Sequence, residues 1–205
     1  MTLKIYGIPK SRAFRTYWMC AELGIPYEDV KTGFTDDVKS PAYLAVNPNG
    51  RVPAIDDDGL KLFESMAINL YLAKKHGTGT LYPADLAGEA KCWQWTIWSL
   101  TELEKLVFDL TVNRAIRPPA ERDAKVADAA EAALVRPLTV LDREFAGKPW
   151  ILGSAFSVAD LNIAGTMYAS WFNKVSYDKY PYVSAWLERA FNRPGALAAR
   201  KLREG

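Results

Sequence analysis

Hydrophobic and polar positions change period several times along the chain. "LKIYG" (Leu3 to Gly7) alternates apolar and polar residues, which predicts a strand; Phe14, Tyr17, Trp18 and Ala21 then recur at i, i+3, i+4 and i+7, which predicts an amphipathic helix. Gly24 stands where such a helix ends. "YEDVKT" (Tyr27 to Thr32) reads as a weaker strand, completing a β-α-β unit long enough for a parallel crossover. In "VPAIDDDGLKLF" two short apolar runs flank Asp58-Gly59, a pair suited to the positive φ of a hairpin turn. Helical spacing returns at Ala67, Ile68, Tyr71 and Leu72, behind Ser65 as an N-cap and ahead of Lys74, Lys75 and Gly77 as a C-terminal signature.

The period changes for good across "HGTGTLYPADLAG" (His76 to Gly88), rich in glycine, threonine and proline. Beyond it the pattern is helical throughout. Trp93, Ile97, Leu100, Leu103, Val107 and Leu110 predict one long stripe, and Val126, Ala130, Leu134, Leu138, Leu141 and Phe145 another, with a kink expected at Pro137. "SVADL" (Ser157 to Leu161) has the form of a capping box, Asp160 reaching back to the Ser157 amide, ahead of the stripe Leu161, Ala164, Tyr168 and Trp171. A last stripe holds Val183, Trp186, Leu187 and Ala190. The expected architecture is α/β plus all-α: a mixed four-stranded domain over 1-76, a linker over 77-87 and a helical domain over 88-205, with a cleft between the domains.

Composition narrows the function classes. Lysine plus arginine (26) nearly balance aspartate plus glutamate (24), so the basic stripe of a nucleic-acid binder is missing. No stretch approaches the ~18 apolar residues of a membrane span, and "MTLKIYGIPK" lacks a signal-peptide pattern, so a cytoplasmic, reducing location is expected. Cys20 and Cys92 have neither CxxC nor metal spacing, and His76 is the only histidine, which removes HExxH zinc chemistry and disfavours a Ser-His-Asp triad. "DDD" at Asp56 to Asp58 reads as hairpin turn rather than metal site, and no metal is expected. The basic C-terminus, Arg193, Arg200, Lys201 and Arg203, reads as a solvated helix end, with phosphate binding as the alternative.

Chemistry centres on "YGIPKSRAFR". Ser11 would cap a helix that begins at Arg12, with Arg15 on the same face. Alternatively its hydroxyl donates to a thiolate at the helix start. Lowering a thiol from about 8.5 to about 6.5 needs roughly 2.7 kcal/mol, and one charge-assisted hydrogen bond of about 1.5–3 kcal/mol supplies most of it. Cys20 lies roughly 13.5 Å along the same helix, too far to provide the sulfur, so the thiol must arrive on a ligand. Pro53 cannot donate to a ladder, which leaves the Val52 backbone as an edge for an extended ligand, or else it simply makes a turn. Glu64 and Ser65 precede a helix; Ser65 either only caps it or, with Glu64 and the local amides, holds a carboxylate and an ammonium.

Taken in order, "KIYGIPKSRAFR", "NPNGRVPAI", "LFESMAINLYLA" and "FSVADLNIAG" resemble the cytosolic glutathione transferase family over nearly the whole chain, in a serine-type pattern of phi- and theta-like character. The resemblance implies a thioredoxin-like domain binding glutathione as co-substrate, a helical domain forming a hydrophobic electrophile pocket, and a homodimer in detoxification. It assigns thiol activation to Ser11, with Tyr6 as the alternative hydroxyl. Glutathione binding falls to Val52, the cis-proline Pro53, Glu64, Ser65 and Lys39, with Arg51 beside them. Ile8, Leu110, Arg114 and Phe172 are the hydrophobic-site candidates. Val38 stands where phi members often carry histidine, and Arg51 where glutamine is common. The rival readings are peroxide reduction or isomerisation at the same site, and a non-catalytic module.

Overall fold

The computed structural model describes residues 2–205. The alternation of the first strand is realised in β1 (Leu3–Gly7), where Leu3, Ile5 and Gly7 are buried and the residues between are half-buried. β1 leads into α1 (Ala13–Leu23), which ends at Gly24 in the left-handed conformation (φ 64°), with the Ile25 amide closing onto Cys20 O at 3.1 Å. β2 (Glu28–Lys31) runs parallel to β1. After the one-turn α2 (Pro41–Leu44) come the antiparallel strands β3 (Ala54–Asp57) and β4 (Leu60–Phe63), then α3 (Ser65–Gly77). The order β2-β1-β3-β4 makes a mixed four-stranded sheet. Asp58 (φ 51°) and Gly59 (φ 95°) form the hairpin turn, and Asp56 Oδ1 accepts from the Gly59 amide at 2.7 Å, so two of the three acidic residues serve the turn. Asp57 is engaged instead with α3: Tyr71 and Lys75 donate to its Oδ2 at 2.7 and 2.6 Å.

The second set of helices comprises α4 (Leu86–Trp98), α5 (Lys105–Thr111), α6 (Ala124–Phe145), α7 (Val158–Phe172) and α8 (Pro181–Phe191). The stripe expected from Trp93 to Leu110 is broken. Leu103, Val107 and Leu110 are buried, but Trp93, Ile97 and Leu100 are 50%, 58% and 41% exposed. Ser99–Glu104 is wound as a π-helix, whose added residue turns the apolar face by about 100°. α6 runs unbroken through Pro137, which is buried, so the expected interruption does not divide it; Val126 at its start is exposed while Ala130 to Phe145 face the core.

The chain divides into two compact units: the part through Tyr82 together with Asn192–Gly205, and Pro83–Phe191. The last helix, α9 (Pro194–Glu204), thus leaves the helical region to which 88-205 was assigned and packs on α1. Its side chains explain why. Arg193 makes two bonds to Glu22 of α1, at 3.0 and 2.7 Å, and Ala196 and Ala199 are buried.

Candidate active site

Sheet register brings three distant motifs to one end of the first unit. Tyr6 of β1 stands opposite Ala54, and Ala54 stands opposite Phe63 of β4. One step further along the same ladders sets Pro53 level with Gly7 on one side and Glu64 on the other. Neighbouring strands lie about 4.8 Å apart, so this end of the sheet offers a platform roughly 10 Å wide. The Val52-Pro53 peptide is cis, and the Val52 backbone lies outside the ladder. Tyr43 Oη and Asn47 Nδ2 both donate to Arg51 O at 2.6 Å, fixing the loop that presents Val52.

Ser11 lies against this platform. A Cβ on Gly7 would stand 3.6 Å from Val52 Cβ, 3.7 Å from Ser11 Oγ and only 2.7 Å from Ala13 Cβ. Gly7 is therefore what lets β1, the cis-proline loop and the start of α1 approach one another. Gly7→Ala is expected to cost about 1–3 kcal/mol in urea unfolding, because the clash is with backbone-fixed atoms. α1 begins at Ala13 rather than Arg12, and Arg12 occupies the cap position without its side chain capping the helix amides. Ser11 nevertheless serves the helix end: its Oγ accepts from the Ala13 amide at 3.0 Å and donates to Ile8 O at 2.7 Å. No acidic residue occupies the first turn of α1, so the positive helix terminus beside this hydroxyl is not neutralised there.

Ser65 also differs from the expected cap. It is the first residue of α3 and buried, while Glu64 takes the cap position at φ 69°, ψ 108°, a backbone strain of about 1–3 kcal/mol. Arg15 Nη1 donates to Ser65 Oγ at 3.3 Å, joining the starts of α1 and α3 with a buried guanidinium. Sequence reasoning noticed Arg15 only as a neighbour of Ser11; its partner lies 50 residues away in the chain. Lys39 ends a 3-10 turn (Asp37–Lys39), and both its side chain and that of Arg51 are exposed. Tyr6 packs on Tyr43 (ring centroids 5.9 Å) and on the cluster Val38, Tyr43, Val46 and Ala54. Burial pushes the thiols of Cys20 and Cys92 up to about 12, so neither supplies a thiolate at neutral pH.

In the helical unit Leu110 and Arg114 line one cavity of about 410 Å³, walled further by Leu134, Leu138, Val175 and Tyr177. Arg114 sits in a second π-helical stretch, Val112–Ile116, and its guanidinium is paired with Asp128 and Glu131. Phe172 lies outside that lining, exposed and stacked on Tyr168 at 5.8 Å. Ile8 is in the first unit, where its carbonyl accepts from both the amide and the hydroxyl of Ser11. Asp160 fulfils the capping box, accepting from the Ser157 amide and hydroxyl at 3.0 and 2.9 Å. It also accepts from the Ile151 amide (2.8 Å) and Trp186 Nε1 (3.1 Å). Among the described residues no group of three or more His, Cys, Asp or Glu side chains could hold a metal ion, and no helix is long and apolar enough to cross a membrane.

Comparison with known proteins bears on the family and the fold. Residues 1–74 match the model of the glutathione S-transferase N-terminal domain, and residues 106–194 that of the C-terminal domain. A probable glutathione S-transferase of Oryza sativa subsp. japonica, GSTF1, is 33% identical over 94% of this chain and 92% of its own. The theta class glutathione S-transferase of Xanthomonas axonopodis pv. citri, solved with glutathione bound, superposes with a TM-score of 0.88 at 30% identity, covering 97% of this chain and 96% of that one. Maize glutathione S-transferase I, in complex with an atrazine glutathione conjugate, superposes at 0.90 with 29% identity over 100% and 99% of the two chains. With both domain models matched in order across a four-stranded mixed sheet and a helical region, the chain belongs to the glutathione S-transferase family.

Proposed function

We propose that the protein binds glutathione across the end of its sheet, ionises the thiol beside Ser11 and transfers the sulfur to a hydrophobic electrophile. The observation that carries the reading is the convergence of the Ser11 hydroxyl, the cis Val52-Pro53 loop and Ser65 at one end of the sheet. An extended tripeptide is roughly 10 Å long, which suits that platform. Its cysteinyl backbone pairs with Val52, placing the sulfur at Ser11 and the α1 terminus. The γ-glutamyl carboxylate meets Ser65 and Arg15, and its ammonium meets Glu64. Lys39 and Arg51 take the glycyl carboxylate as exposed cations. With an aryl halide, the thiolate attacks the ring carbon bearing the halogen; a C–S bond forms, the carbon–halogen bond breaks, halide leaves and the thiol proton passes to water. Ser11 stabilises the thiolate, and binding supplies proximity.

The Leu110–Arg114 cavity of the helical unit has the apolar wall an electrophile needs. Wild-type protein is expected to be retained on immobilised glutathione and to conjugate an aryl halide. Ser65→Ala is expected to raise the KM for glutathione about tenfold with little change in kcat, as loss of a charged hydrogen bond to bound substrate predicts. Failure of the wild type to bind or conjugate returns the chain to the non-catalytic reading. A glutaredoxin-type role lacks its cysteine, since Ser11 holds that place. We assign the protein to the cytoplasm as a homodimer; the exposed row Trp93, Ile97 and Leu100 supports association, which sedimentation reads directly.

A further inference from the structure

Three of the four basic residues of the C-terminus are engaged within the protein. Arg193 pairs with Glu22, and Arg200 with Glu204 one turn along the same helix. Arg203 does something different. Its Nη1 donates to Pro9 O at 2.6 Å and to Ser11 O at 3.0 Å, and its guanidinium lies 5.5 Å over the ring of Phe14. One cation therefore holds two carbonyls of the five-residue connection between β1 and α1.

We propose that Arg203 is a positioning residue for Ser11, so that the last helix of the chain sets the geometry in which the glutathione thiol is activated. The inference rests on the reading of Ser11 as the thiol's hydrogen-bond donor. In this connection the Ile8 carbonyl accepts from the Ser11 amide at 2.9 Å and from its hydroxyl at 2.7 Å, while Ser11 O accepts from the Phe14 amide at 3.2 Å. These bonds span only three residues each and leave the Pro9 carbonyl to Arg203. Drawing the carbonyls of Pro9 and Ser11 to one cation fixes the Pro9–Lys10 and Ser11–Arg12 peptide planes, which bracket the Lys10-Ser11 pair. That fixes where the Ser11 side chain emerges relative to the Ala13 amide, its other partner. α9 is itself anchored independently at its far end by the Arg193–Glu22 pair, so the position of Arg203 does not depend on its own two bonds.

The test compares Arg203→Met, Arg203→Lys and Arg193→Met with wild type in aryl-halide conjugation across pH, together with the ultraviolet absorbance of the bound glutathione thiolate. Arg203→Met is expected to lower kcat about fivefold and raise the apparent pKa of the bound thiol by about half a unit, with the KM for glutathione changed less than about twofold. Arg203→Lys, which keeps a cation but loses the planar fork, recovers part of the loss. Arg193→Met lowers thermal stability through the same helix and leaves the thiol pKa where it was. In a Ser11→Ala background Arg203→Met adds no further shift, because its effect runs through the hydroxyl. A wild-type thiol pKa in Arg203→Met, or equal shifts in Arg203→Met and Arg193→Met, overturns the proposal. If Ser11→Ala alone leaves the thiol pKa unchanged, it is the reading of Ser11 that fails.

Discussion

Ser11→Ala is expected to lower kcat for aryl-halide conjugation by about two- to thirtyfold and to move the acid limb of the pH–rate profile upward by about half a unit to one and a half units. The size follows from an exchange rather than from a new bond. Without a ligand the hydroxyl proton already goes to Ile8 O, at 2.7 Å. Turning it to a thiolate gives up a neutral hydrogen bond of about 1 kcal/mol for a charge-assisted one of about 1.5–3 kcal/mol, so the net gain is smaller than the second figure alone. The Ala13 amide goes on donating to Ser11 Oγ and polarises it in the useful direction. The attacking species is the thiolate, so a raised thiol pKa depresses the rate most at low pH. The gap between variant and wild type narrows as the pH passes the variant's own thiol pKa. Tyr6→Phe serves as the comparator: Tyr6 packs on Tyr43 and the cluster around it, so its profile should match wild type. The converse pattern, a large loss in Tyr6→Phe and none in Ser11→Ala, would transfer the role to the tyrosine.

Asp160→Ala is expected to have the largest effect on stability, about 3–5 kcal/mol in urea unfolding followed by tryptophan fluorescence. The side chain is fully buried and gathers four donors from the start of α7, from Ile151 and from Trp186 of α8. Removing it strands those donors away from water. A loss below about 1 kcal/mol would show that they find other partners. Its pH behaviour runs opposite to that of an exposed, salt-bridged carboxylate. Burial pushes the Asp160 carboxyl up to about 6, against the pull of its hydrogen bonds. The folded chain thus holds a proton that the unfolded chain releases near pH 4, so this group favours folding at low pH and its contribution fades as the pH rises through 6. The deficit of Asp160→Asn relative to wild type should accordingly widen by about 1 kcal/mol between pH 7 and pH 5.

What was legible in the sequence was what depends on neighbours a few residues apart. The strand alternation at Leu3 to Gly7, the Asp58-Gly59 turn and the Ser157–Asp160 box are each set by local spacing, and each appears at its expected place. The errors have a common origin in helix winding and chain ends. A π-turn at Ser99–Glu104 changes which face is apolar without changing composition, so Trp93 and Ile97 read as core and are exposed. Helix starts moved by a residue at Ser11 and Ser65; at Ser65 this is because the Glu64 backbone takes the cap position with a positive φ that its side chain does not advertise. The links Arg15–Ser65 and Arg203–Pro9 were invisible for a plainer reason: they join residues 50 and 194 positions apart, and no periodic pattern reports such pairs.

The return of α9 to α1 also governs the order in which the molecule can be completed during synthesis. The first unit begins at the N-terminus but needs a helix that follows Tyr82 by roughly 110 residues, on the order of ten seconds of translation. During that interval the face of α1 that will meet Ala196 and Ala199 stays open to water, and the carbonyls of Pro9 and Ser11 lack their cation. The helical unit is contiguous in sequence and can close first. The half of the protein translated earliest is therefore finished last, and nascent chains halted before Pro194 should show the protease sensitivity of an open α1 while Pro83–Phe191 is already protected.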